Sequence, residues 1–171
     1  MYNTTFILLL FCVFGCANGK KIENKHSGQI FIHKPYCGGA KPTPEISAGF
    51  DRPFSNSKFF IKSEMNNDPK KNTLTKIKTD EEGRFEVNLP NGKYFLIHEN
   101  KTLDFEKFKE FYTKKGITNT EYIGDKDAKI VYSQADFEIQ ISENEIIKII
   151  YREKCFVGLN PLLKYIGPLP Q

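Results

Sequence analysis

The residues best suited to metal or proton chemistry are three histidines, His26, His33 and His98, which stand far apart in the chain. A metal site needs two or more such ligands to converge with carboxylates or thiolates. His98-Glu99 begins like the HExxH zinc motif, but position 102 is Thr, so the second histidine is missing. Strand ends and surface positions account for these histidines. Glu121, Asp125 and Asp127 cluster around Gly124, with too few oxygen ligands at fixed spacing for a calcium loop. A solvated turn is expected there. Asp80-Glu81-Glu82-Gly83 reads as a hairpin turn whose acids stay in water. No serine lies in a Gly-x-Ser-x-Gly elbow, and Cys37-Gly38-Gly39 lacks the Lys-Ser/Thr of a phosphate-binding loop. These patterns identify no catalytic group, no metal ligand set and no cofactor site. The chain is expected to be no enzyme.

The four cysteines divide into two pairs by position. Cys12 and Cys16 fall within or just after the apolar run Phe6 to Phe14, which is too short to span a bilayer, since spanning takes roughly 20 residues. It fits the hydrophobic core of a signal peptide, about 7–15 residues long. The residues Val13-Phe14-Gly15-Cys16 resemble the lipobox of bacterial lipoproteins. That resemblance implies cleavage before Cys16, acylation of its thiol, and a lipid-anchored protein of the cell envelope. Ala17, in place of an Asp behind the cysteine, points to the outer membrane. Ordinary cleavage after Ala17, giving a secreted or periplasmic protein, and an uncleaved apolar anchor are the alternatives. All three readings share export. Cys37 and Cys155 then remain as a matched pair in an oxidising compartment, where a disulfide is the expectation. A metal site that includes His33, four residues before Cys37, and a reactive thiol are the competing uses of these cysteines.

Length and composition bound the rest. The 171 residues supply one domain's worth of chain beyond the leader. Aromatic content of 13%, with 15 Phe, argues against disorder. The net charge of +4 is spread over interspersed Lys and Glu, without the long basic clusters of a nucleic-acid surface. No nucleic-acid partner is expected.

Period-two patterns dominate the pass along the chain. Gln29 to His33 and Lys58 to Lys62 read as strands, and Leu74 to Lys78 as a less regular third. Residues 35–53 carry so many Gly and Pro that a long loop without regular structure is expected. Phe85, Val87 and Leu89 share one strand face, Pro90-Asn91-Gly92 reads as a hairpin turn, and Tyr94 and Leu96 share a face of the returning strand. Phe105, Phe108, Phe111 and Tyr112 recur at helical spacing, predicting a short helix within Leu103 to Lys115, capped by Asp104 and packed on the sheet. Asp136 to Ile141 and Ile146 to Tyr151 read as two final strands. The Pro-containing tail, 156–171, should be extended and lie across its own domain. The expected organisation is a signal segment at 1–16, a linker at 17–26, a β-sandwich domain at 27–155 and the tail. About seven strands with one short helix predict a mainly β fold, an Ig-like β-sandwich.

Asp80, Gly83, Phe85, Leu89, Pro90, Gly92 and Tyr94 resemble the signature of the carboxypeptidase regulatory-like domains: a turn with Asp and Gly, an aromatic, Leu-Pro-x-Gly and a Tyr-containing strand. The resemblance spans about residues 27–98. It implies a transthyretin-like β-sandwich and a non-catalytic accessory module, and it names no ligand. Function is therefore expected to be structural or binding at the cell envelope, with the membrane reached through a lipid anchor and an envelope protein or glycan as partner. The alternatives are an accessory subunit of an envelope enzyme system and a ligand- or glycan-binding module, for which exposed aromatics such as Tyr36, Phe50, Phe54 or Tyr122 would line one edge.

Overall fold

The computed structural model describes residues 24–68, 73–114, 116–143 and 145–169; the expectations for the signal segment and Cys16 lie outside the described residues. In chain order the elements are β1 (Asn24–Lys34), α1 (Pro44–Ser47), β2 (Phe50–Pro53), β3 (Lys58–Lys62), β4 (Thr75–Lys78), β5 (Arg84–Leu89), β6 (Gly92–His98), a 3-10 turn (Glu99–Thr102), α2 (Phe105–Thr113), β7 (Thr120–Tyr122), α3 (Asp125–Ser133), β8 (Phe137–Ile141), β9 (Ile147–Arg152) and β10 (Leu163–Tyr165).

Strand alternation builds two facing sheets. In the first, β1 is central. It pairs in parallel with β9 along one edge. Its other edge is shared by β5 at the N-terminal half and β2 at the C-terminal end, both antiparallel. The second sheet runs β4-β3-β6-β8, antiparallel throughout. Every second residue points inward, so Ile30, Phe85, Val87, Leu89, Ile147 and Ile149 of one sheet meet Phe59, Ile61, Ile77, Leu96, Ile139 and Ile141 of the other. Each such side chain contributes about 1.5–3 kcal/mol when fully buried. This is the mainly β sandwich expected from the sequence, with ten strands and three helices among the described residues where seven and one were foreseen.

A second, smaller cluster sits outside the sandwich. Phe108 of α2, Ala128 of α3 and Leu162 of the tail are its fully buried members, ringed by Phe105, Tyr112, Tyr122, Ile123, Val131 and Tyr132. The two-stranded pairing of β7 with β10 closes it. These elements form a cap. The helix α2 forms where its spacing predicts, with the Asp104 carboxylate accepting from the Lys107 N–H at 2.9 Å. It packs on α3 and the tail, not on the sheet as expected.

Other expectations are corrected. The Pro90-Asn91-Gly92 and Asp80-Gly83 turns are not hairpins. β5 belongs to the first sheet while β4 and β6 belong to the second, so both turns carry the chain across the sandwich. An inward apolar face on each flanking strand satisfies either arrangement, because facing sheets and paired strands share the same alternation. The Asp80 carboxylate shapes its turn by accepting from the N–H groups of Glu82 at 3.0 Å and Arg84 at 2.8 Å. Gly83 has φ +76°, and a Cβ there would lie 2.4 Å from the Ile30 carbonyl. The stretch 35–53 holds α1 and β2 rather than a bare loop. The Glu121–Asp127 stretch is no simple turn: Asp125 opens α3, where acidic residues complement the helix dipole. β1 starts at Asn24, inside the stretch expected as linker, and the tail adds β10.

Candidate functional site

The sandwich and the cap meet in a seam held by polar contacts. Asn67, just after β3, donates from Nδ2 to the carbonyls of Lys101 (2.7 Å) and Tyr132 (3.0 Å). Lys101, in the 3-10 turn after β6, reaches the Asp136 carboxylate at 2.7 Å and the Gln134 carbonyl at 3.0 Å. Asp136 also accepts from the His98 N–H at 2.7 Å. The Lys101 and Asp136 side chains are only 7% and 15% exposed. Removing one partner of such a buried pair costs roughly 3–5 kcal/mol, because the other charge is left without compensation.

Along this seam lies a cleft of about 320 Å³, at the small end of the roughly 300–1,000 Å³ usual for ligand pockets. Its sandwich wall is aromatic. Phe54 lies nearly parallel to the His98 ring at 5.6 Å and edge-on to Tyr151 at 5.1 Å. Its cap wall carries Phe111 and Tyr112, roughly perpendicular rings 5.0 Å apart, with Leu159 and Pro161 of the tail beside them. Phe111 is 55% exposed, although it lies on the otherwise amphipathic α2. Asn100, Lys101 and Asp136 complete the lining.

The electrostatics of the cleft are muted. The lysine and the aspartate are spent on each other and on backbone groups. Burial pushes the His98 pKa below its ordinary value, against the opposing pull of Asp136 and Glu99, so its ring is neutral at pH 7. Burial likewise raises Tyr112, and holds Tyr151 well above the usual phenol range, with Asp136 adding to the effect. Both phenols stay protonated and neither is a general base at neutral pH. The Tyr151 hydroxyl is the unusual group. It is buried beside Asp136, which acts on it through charge and a weak side-chain hydrogen bond that falls outside full hydrogen-bond geometry. Leaving such a group wholly unmet costs about 1–3 kcal/mol. The arrangement can bind a ligand; it presents no nucleophile activated by an adjacent base.

The residues singled out in the sequence lie elsewhere or in new roles. Cys37 and Cys155 form a disulfide with Cα atoms 5.5 Å apart, so neither thiol is available to a metal or as a nucleophile. It pins the loop after β1 to the start of the tail. His33 pairs with Asp51 at 2.7 Å, and buried His26 meets the Leu89 carbonyl at 3.1 Å. Among the described residues, no group of three or more His, Cys, Asp or Glu converges as a metal site. Asp125 is drawn to Lys109 (2.6 Å) and the Tyr122 hydroxyl (2.8 Å), while Glu121 pairs with Lys164. The aromatic edge is not formed: Phe54 lines the cleft, Tyr122 packs into the cap, and Tyr36 folds over Gly38. The sequence reading missed Asn100, Lys101, Phe111 with Tyr112 as a wall, Asp136 and Tyr151. Their one signal was a Lys and an Asp just outside the ends of two alternating strands.

No family model matches the chain, and no curated protein matches it. Among solved structures, a Pseudomonas aeruginosa protein described as a candidate carbohydrate-binding protein aligns with 78% of this chain and 90% of its own length. Its identity is 14% and its TM-score 0.32, a superposition too loose to transfer fold detail or function.

Proposed function

We propose that the protein is an exported, lipid-anchored, non-catalytic binding module of the cell envelope, and that the seam cleft is where it takes its ligand. The observation that carries this reading is the cleft itself: aromatic walls from two separately cored units, convergent polar groups, and a buried, weakly engaged hydroxyl. The Cys37–Cys155 disulfide fits an oxidising compartment. Anchoring at Cys16 rests on Val13-Phe14-Gly15-Cys16, and kinship with the carboxypeptidase regulatory-like domains rests on the turn residues Asp80 to Tyr94.

An NMR screen of small fragments tests the site. Shifts should concentrate on Phe54, His98, Asn100, Lys101, Tyr112 and Tyr151; shifts gathered on another face would refute the assignment. For the anchor, Cys16→Ser should move the protein from the membrane fraction to the soluble fraction. Unchanged fractionation would argue against acylation.

A further inference from the structure

We infer that the ligand of the seam cleft is an uncharged sugar ring, a residue of a neutral oligosaccharide, stacked on Phe111 and hydrogen-bonded to neutral groups along the seam. This inference rests on the reading of the cleft as the binding site and adds the chemistry of its occupant.

Charge decides first. Lys101 and Asp136 cancel across 2.7 Å and are further engaged by the Gln134 carbonyl and the His98 N–H. The cleft therefore offers no unpaired cation for a phosphate or carboxylate, and no unpaired anion for an amine. A charged ligand would enter without a counter-charge and lose its hydration.

Hydrogen-bonding capacity decides next. Asn100 donates from Nδ2 to the Tyr112 oxygen at 3.2 Å, which leaves the Tyr112 proton and the Asn100 Oδ1 without partners among the described residues. The His98 Nδ1 faces the Asn100 N–H at 3.4 Å, which places the ring proton on Nε2 as a further donor. Among the described residues, Tyr151 Oη is the buried side-chain atom without a partner at full hydrogen-bond geometry, Asp136 engaging it only weakly. A mixed set of neutral donors and acceptors suits hydroxyl groups, each of which donates and accepts. The exposed Phe111 ring supplies the apolar platform that the C–H face of a pyranose covers. A wholly apolar ligand would cover the rings and leave these polar groups unmet.

The test is a titration of the mature protein with two probe sets, followed by NMR and by calorimetry. One set is neutral: maltose, cellobiose and N,N′-diacetylchitobiose, with their longer oligomers. The other is charged or apolar: glucuronate-containing disaccharides, glucosamine oligomers, and 4-phenylbutanol. A member of the neutral set should bind with shifts at the seam, and Phe111→Ala should weaken it tenfold or more. Tyr151→Phe should weaken it about fivefold, since it deletes a hydroxyl that Asp136 engages only weakly and that a sugar hydroxyl would complete. Tighter binding of a charged sugar, or binding of 4-phenylbutanol alone at the seam, would overturn the sugar assignment while leaving the cleft as the site. Absence of seam shifts with every probe would overturn both. Neutral-sugar binding that is indifferent to Phe111→Ala and Tyr151→Phe would place the sugar elsewhere and refute the inference.

Discussion

The sandwich and the cap solve the same problem with unequal means. The sandwich buries thirteen residues between two sheets, drawn from every strand of the two sheets except β2. The cap has three buried members and completes its core with six half-buried neighbours. It is held by connections to other parts of the chain: Asn67 from the sandwich, Lys101 with Asp136 at the junction, Asn160 of the tail on the Tyr112 carbonyl at 2.7 Å, and the disulfide that fixes where the tail begins. The difference teaches that rigidity and adaptability are divided between the two. Regions with few buried apolar contacts open at lower free energy than the core, so the cap is the wall that can adjust around a ligand while the sandwich holds the other wall still.

The largest effect expected is that of the disulfide. Its sequence separation is 118 residues, and closing a loop of that size stabilises by about 4–5 kcal/mol on the chain-entropy model. Denaturant titrations of the oxidised and reduced protein should differ by most of that amount, and the oxidised mature protein should show no alkylatable thiol at Cys37 or Cys155. Next comes a matched pair of core truncations. Phe59→Ala and Phe108→Ala should each cost about 3–5 kcal/mol locally. The first should lower protection from amide exchange throughout, the second only in α2, α3, β7 and β10. Equal, global losses would mean that the two cores are one cooperative unit.

Smaller effects sharpen the boundary. Asp104→Ala removes the α2 cap and should cost about 1 kcal/mol, confined to the cap elements by exchange. The pH dependence should isolate His98. Its folded pKa lies below the ordinary value near 6.5, so the unfolded chain protonates first as pH falls. The groups facing it are Asp136, Glu99 and Lys101. Stability should decline as pH drops below about 6.5 and level off below the folded pKa, and His98→Gln should flatten that part of the profile. A separate loss at lower pH should follow from Asp80, Asp104 and Asp125, whose carboxylates are all held below their ordinary range by hydrogen bonds and basic neighbours. Stability from these groups is present above pH 4 and disappears as they protonate.

The strands β1, β3, β5, β6, β8 and β9 and the helix α2 were legible because period-two and helical spacing report which faces are buried. Pairing was not legible. Phe85-Val87-Leu89 and Tyr94-Leu96 alternate identically whether their strands lie side by side or face each other, and only the assembled sandwich selects the second. β2, β7 and β10 are three or four residues long, too short to show alternation. α3 gathers Ile130, Val131 and Tyr132 in one run instead of at helical spacing, and its role emerges only once Ala128 meets Phe108 and Leu162. The disulfide was reachable by counting cysteines and setting aside Cys12 and Cys16, which an expected signal segment would claim. The cleft was not, because it draws Phe54, His98, Phe111 and Tyr151 from four segments, and the pairing of Lys101 with Asp136 exists only where the cap lands on the sandwich.

The most direct measurement is amide hydrogen exchange of the mature protein, free and saturated with whichever disaccharide shifts the seam resonances most. Protection should be gained in α2, α3 and residues 98–101, with β1 and β5 unchanged. Protection gained along β2 and the 35–49 stretch, or spread evenly over both sheets, would contradict binding at the seam.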